Sequence, residues 1–98
     1  MTDSGALLGT VAYLAPEVIQ GEEAGPASDR YAFAAMAFEC LAGSSVFPRP
    51  SDTAVIFAQV NEPPPRISVR RPELGNELDD VFARALAKDP SERPASAR

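Results

Sequence analysis

Histidine and tryptophan are absent from the 98 residues, and cysteine occurs once, at Cys40. A single cysteine forms no intramolecular disulfide, and without histidine the usual zinc ligand sets cannot be assembled. A transition-metal centre is thereby excluded. Cys40 also lacks the histidine that would activate a thiol nucleophile, so it reads as a small core residue. Positive charge is scarce too. Nine Lys/Arg against fourteen Asp/Glu leave a net charge of −5, with no basic cluster denser than Arg66, Arg70 and Arg71. Phosphate backbones are held by a concentrated basic face, so nucleic acid is excluded as the main partner and the three arginines read as solubilising a loop. Long apolar runs are missing as well: the longest, Tyr31 to Ala42, is too short to span a bilayer and is broken by Glu39. No basic segment followed by an apolar stretch opens the chain. The expectation is a cytoplasmic segment without a membrane span, any anchor of a parent protein lying outside it.

What is present fits one small domain. A hydrophobic fraction of 45% with 23% charged residues is globular rather than disordered, while ten prolines impose many interruptions. Residues 1 to 15 are rich in small and hydroxyl side chains and show no sustained period, so they read as an extended loop. Pro16 suits the first position of a helix and Glu17 its positive end, which predicts a short helix to about Gln20, stopped by Gly21. Ser28 or Asp29 then caps a helix over Asp29 to Ala42 that is apolar around its whole circumference and ends at Gly43. Such a helix belongs at the centre of a larger protein, since a surface helix needs only one apolar stripe.

Asp52 or Thr53 caps a modest helix to about Val60, and Pro63, Pro64 and Pro65 force an extended connector that runs to Gly75. From Asn76 the pattern is clean. Leu78, Val81, Phe82, Ala85 and Leu86 fall at i, i+3, i+4, i+7 and i+8, a helix with one buried face that lasts to Asp89-Pro90. Asp80 and Arg84 have the spacing of a supporting ion pair, and the acidic run Glu77 to Asp80 reads as a solvated helix start. The fold class expected is mainly α, three to five helices joined by long Pro-rich loops.

Four short motifs stand in order along this framework. Gly9-Thr10-Val11-Ala12-Tyr13-Leu14-Ala15-Pro16-Glu17 resembles the end of the activation segment of Ser/Thr protein kinases, the G-T-x-x-Y-x-A-P-E pattern. Ser28-Asp29-Arg30-Tyr31-Ala32-Phe33-Ala34 is similar to the family's S-D-x-Y-S-x-G, with Arg30 where an aliphatic residue is common and Ala34 where glycine is frequent. Leu41-Ala42-Gly43 follows, and Asp89-Pro90-Ser91-Glu92-Arg93-Pro94 resembles D-P-x-x-R-P. The order and distances identify the chain as part of the large lobe of a bacterial-type Ser/Thr kinase, residues 1–17 ending the activation segment and 18–98 forming helical lobe.

The resemblance implies roles position by position. Thr10 matches the hydroxyl that helps seat the acceptor, and Leu7, Val11 and Leu14 match the pocket for the substrate residue after the phosphorylated one. Glu17 and Arg93 match a buried structural ion pair. Asp29 matches an anchor of the catalytic loop, although a helix cap is an equal reading of that residue. Met36 and Cys40 match support beneath the adenine, and Thr2 and Ser4 match sites of self-phosphorylation. Glu39 matches a substrate-facing carboxylate of some kinases, a plain surface charge being its alternative.

Phosphoryl transfer needs a Gly-rich phosphate loop, a strand lysine, a catalytic Asp with its Asn, and a second Asp for Mg²⁺. None of these motifs is in the chain. The expectation is therefore a piece of a Ser/Thr kinase that positions substrate and braces the lobe, with no cofactor of its own, ATP and Mg²⁺ belonging to the parent. Its partners would be the remainder of the kinase domain and the parent's protein substrate, and its uncovered apolar helix predicts self-association. The alternative is a kinase-derived interaction module without catalysis.

Overall fold

A computed structural model describes residues 11–94 of the 98. Among the described residues the chain is helical and holds no strand: α1 (Pro16–Ile19), α2 (Pro26–Ala42), α3 (Asp52–Asn61), α4 (Ile67–Arg70) and α5 (Glu77–Ala85), with 3₁₀ turns at Pro72–Leu74 and Pro90–Glu92.

The central helix α2 begins three residues before the predicted start. Gly25, in extended conformation, is its N-cap and Pro26 opens its first turn. The Ser28 hydroxyl turns back to accept the Gly25 N–H at 2.7 Å and donates to the Gly25 carbonyl at 2.8 Å. Ser28 thus closes the cap from inside the helix rather than preceding it, and Asp29 lies within the first turn, exposed. Gly43, at φ +85°, ends α2 in the left-handed conformation that side chains disfavour.

Only one stripe of α2 is buried: Tyr31, Ala34, Ala35 and Phe38, at helical spacing. Phe38 meets Phe82 of α5 edge to face at 5.5 Å between centroids, and Val46, Ile67, Ala58 and Leu86 complete the core. Phe33, Met36 and Leu41 face outward. Cys40 is exposed as well, against the expectation of a core residue, because the buried stripe runs along the opposite side of the helix.

The arginines expected to solubilise a loop do structural work. Arg70, at the end of α4, donates to the Ser44 hydroxyl at 3.1 Å and to the Ser45 and Val46 carbonyls at 2.5 and 2.8 Å, with its guanidinium 5.2 Å from the centre of the Phe38 ring. Arg71 donates to the Leu41 carbonyl at 2.8 Å and pairs with Glu73. Together they supply donors to carbonyls that the end of α2 and the turn beyond it leave open. Their placement depends on α4, a turn of helix inside the connector that the prolines suggested would be extended throughout. Asp79 steadies that turn by accepting the Ser68 N–H at 3.0 Å and hydroxyl at 2.7 Å, so it is more than part of a solvated helix start.

The hydroxyl of Ser51, one residue before the predicted cap, accepts from the Ala54 N–H at 3.2 Å and starts α3. The last helix, α5, stops at Ala85, short of Pro90. Asp80 and Arg84 form no ion pair among the described residues, both side chains standing in solvent where such a pair gains little.

Candidate functional site

Val11 to Ala15 form a loop that enters α1, with Val11 and Ala15 buried and Leu14 partly covered. The backbone of such a loop carries carbonyls that must find donors if they are shielded from water. Here the donor is one side chain. Gln59, on α3 and fully buried, donates through Nε2 to the carbonyls of Val11, Ala12 and Leu14 at 3.3, 3.1 and 2.8 Å. Its Oε1 accepts from the Tyr31 hydroxyl at 3.0 Å. Both ends of the amide are satisfied, and that fixes its orientation, because a flipped amide would point oxygen at three carbonyls. Burial raises the Tyr31 hydroxyl far above the ordinary tyrosine value, so Tyr31 stays a donor.

Behind α1 lies an ion pair. Arg93 grips Glu17 through two bonds of 2.8 Å each. Both residues are buried, and the three remaining guanidinium hydrogens are also used: Nε donates to the Ala87 carbonyl at 2.9 Å, Nη1 to Ala27 at 3.1 Å and Nη2 to Lys88 at 3.4 Å. The guanidinium lies 4.9 Å from the centre of the Tyr31 ring. The hydrogen bonds from Arg93 hold the Glu17 carboxyl below its usual range, outweighing the opposing effect of burial.

Tyr31 thus touches both assemblies, binding Gln59 through its hydroxyl and Arg93 through its ring face. Lys88 closes the back of α3, donating to the carbonyls of Ala58 and Gln59 at 3.3 and 2.7 Å and lying 4.9 Å from the Phe47 ring centre. Burial lowers its ammonium pKa to about 8.

The outer side of the loop borders a cleft of about 220 Å³ lined by Ala12, Tyr13, Glu39, Phe47, Arg49 and Val55. The Tyr13 hydroxyl donates to Glu39 Oε1 at 2.5 Å, and that carboxylate raises the Tyr13 pKa. Of the residues singled out in the sequence, Val11 and Leu14 share the loop that Gln59 holds, and Glu17 and Arg93 meet. Asp29 stands apart, exposed at the start of α2, while Met36 and Cys40 also face solvent. Thr2, Ser4, Leu7 and Thr10 lie outside the described residues. Among the described residues no three His, Cys, Asp or Glu side chains gather as a metal site, and no helix is long and apolar enough to cross a membrane.

Gln59 is the residue that sequence reasoning missed. Its one signal was a long amide on a helix otherwise presenting Val55, Ala58 and other apolar side chains, which marks a buried polar group in need of partners.

A family model of the protein kinase domain matches residues 2–98. The chain belongs to the protein kinase family. It is 44% identical over 93 residues to the serine/threonine-protein kinase PknF of Mycobacterium tuberculosis, covering 95% of this chain and 19% of that protein. With PknJ of the same species it shares 37% over 99 residues, covering 99% of this chain and 17% of the relative. Among solved structures, the twitchin kinase region from C. elegans superposes with a TM-score of 0.78 at 22% identity, over 88% of this chain and 15% of that one. That likeness shows the fold. The chain is thus a helical part of a Ser/Thr kinase domain, and it spans about a fifth of the length of the PknF relative.

Proposed function

We propose that this chain supplies the acceptor-side loop and the helical floor of a protein kinase that phosphorylates Ser or Thr of protein substrates with ATP and Mg²⁺. The observation that carries this reading is the loop Val11–Ala15 held by Gln59 directly ahead of the Glu17–Arg93 pair. A substrate pocket must keep its shape while the acceptor docks, because a misplacement of an ångström at the reacting groups costs heavily in rate. In this reading Val11 and Leu14, with Leu7 and Thr10 ahead of them, position the acceptor. Asp29 anchors the catalytic loop of the complete domain, and Thr2 and Ser4 are candidates for phosphorylation.

In this reading the nucleotide site belongs to the rest of the kinase domain, which the lack of a Gly-rich loop and catalytic-loop motif in the sequence supports, and the chain alone neither binds ATP nor transfers phosphate. The test is direct. The purified chain, given labelled ATP, Mg²⁺ and a generic acceptor protein, is expected to incorporate no label; metal-dependent incorporation would refute the proposal. In the complete kinase, Val11→Asp is expected to raise KM for an acceptor peptide and leave KM for ATP unchanged.

The cleft beside the loop supports a finer reading, in which Glu39 faces substrate. Its Oε1 accepts from Tyr13 while the carboxylate borders a cleft that opens next to the acceptor-side loop. Glu39→Gln in the complete kinase is then expected to weaken arginine-containing acceptor peptides selectively. Equal loss for neutral peptides would remove the assignment.

A further inference from the structure

The last turn of α3 is short of donors. In a helix each carbonyl accepts the N–H four residues on, and the residues four on from Gln59, Val60 and Asn61 are Pro63, Pro64 and Pro65, which have none. The Glu62 N–H goes to the Ala58 carbonyl at 2.9 Å. Gln59 thus stands under two demands: its side chain serves the loop Val11–Ala15, while its own carbonyl has no helical donor.

Lys88 meets the second demand. It lies between α5 and the turn Pro90–Glu92, and its ammonium group donates to the Gln59 carbonyl at 2.7 Å and to the Ala58 carbonyl at 3.3 Å. A cation there also faces the negative end of α3. Burial lowers its pKa to about 8 against the opposing effect of the Glu62 carboxylate, as expected of an ammonium group that has given up water to reach these carbonyls. The Lys88 carbonyl accepts from Arg93 Nη2 at 3.4 Å, so the short run from Lys88 to Arg93 reaches both Gln59 and Glu17.

We propose that Lys88 is a positioning residue for the acceptor-side loop, holding the backbone of Gln59 from behind so that its amide stays aimed at the carbonyls of Val11, Ala12 and Leu14. The role rests on the kinase reading for what the loop receives, and on the hydrogen bonds alone for how the loop is held. Without Lys88 the last turn of α3 frays into the proline run, and the amide moves off its three acceptors.

The test is amide hydrogen exchange of the full chain, read at Leu14, whose N–H donates to the Val11 carbonyl at 3.2 Å. Lys88→Met keeps the apolar stem and removes the donor; it is expected to speed exchange at Leu14 about tenfold and to leave Phe38 and Phe82 in the core within about twofold. Lys88→Gln, a gentler second variant with an N–H on a shorter stem, is expected to speed Leu14 about threefold. The deciding readout is the cycle with Gln59→Ala. Because Lys88 acts through Gln59, adding Lys88→Met to Gln59→Ala is expected to speed Leu14 no further. Additive effects in the double variant would overturn the inference, as would an unchanged Leu14 or an equal acceleration at Leu14, Phe38 and Phe82. In the complete kinase, Lys88→Met is expected to raise KM for an acceptor peptide about fivefold with KM for ATP unchanged. A response at Leu14 with the acceptor KM unmoved would uphold the hold of Lys88 on Gln59 and overturn the acceptor-side reading of the loop.

Discussion

The two sides of helix α2 differ in kind. Toward the loop and the tail, its Tyr31 joins Gln59, Arg93 and Glu17 in a buried polar assembly whose donors and acceptors are matched. Toward α5 and beyond, Phe33 and Met36 stand in solvent, and Nε of Arg30 has no hydrogen-bond partner among the described residues. The difference teaches where this chain is self-sufficient. A matched buried network is costly to disturb at any single member, whereas an exposed apolar face tolerates change until something docks on it.

The strongest way to break the contrast is to remove one partner of the ion pair. Arg93→Met leaves Glu17 buried and unpaired, and a loss of about 3–5 kcal/mol is expected in urea unfolding. The double variant Glu17→Leu with Arg93→Met is expected to recover most of that loss, since no charge is left without its partner. If the double variant is as unstable as the single one, the pair is not the cause.

Next in size is Gln59→Ala, which leaves three loop carbonyls and the Tyr31 hydroxyl without their partner. About 2 kcal/mol is expected, with faster hydrogen exchange confined to residues near 12–15. Uniform acceleration across the chain would show that Gln59 supports the whole core rather than the loop.

Proton linkage separates the sides further. The Glu17 carboxyl is lowered in the folded chain, so the unfolded chain binds the extra proton first. The stability it contributes is fully present above the ordinary value of 4.5 and is lost as pH falls through the folded value. Acid titration of unfolding should show this loss, and Glu17→Leu with Arg93→Met should flatten it. Lys88 acts at the other end of the scale. Its folded value of about 8 lies below the ordinary 10.5, so across that window the unfolded chain holds more protons and stability gains from Lys88 as pH rises. Lys88→Met should remove that slope.

The smallest expected effect sharpens the comparison from the opposite side. Phe33→Ser, on the exposed face, is expected to change the unfolding free energy of the monomer by no more than about 0.5 kcal/mol. A cost as large as that of Gln59→Ala would mean that Phe33 is packed rather than exposed in the free chain.

How much of this was legible beforehand depends on the range of the interaction. The i, i+3, i+4 spacing of α5 and the turn residues around α2 are local, and they gave the mainly helical class and most element positions. The cap of α2 was misplaced because Ser28 serves from the third helical position, a choice that spacing alone does not distinguish. Helix α4 escaped notice because four residues after a proline run carry no period, and its position is set by Ile67 entering the core and Asp79 holding Ser68. Motif order singled out Glu17 and Arg93, but nothing near Gln59 announces the loop it holds, which lies 45 to 48 residues earlier. The buried stripe of α2 was likewise hidden in a helix whose every face is apolar.

The distance along the chain between Glu17 and Arg93 has a consequence for synthesis. Their separation is 76 residues, so on the ribosome Glu17 is exposed long before its partner is made. Gln59, which holds the loop carbonyls, lies between the two in the chain. The two holds therefore differ in reach, the amide acting across 45 to 48 residues and the ion pair across 76, so a chain cut before Arg93 keeps the amide that holds the Val11–Ala15 loop and loses the tie behind α1.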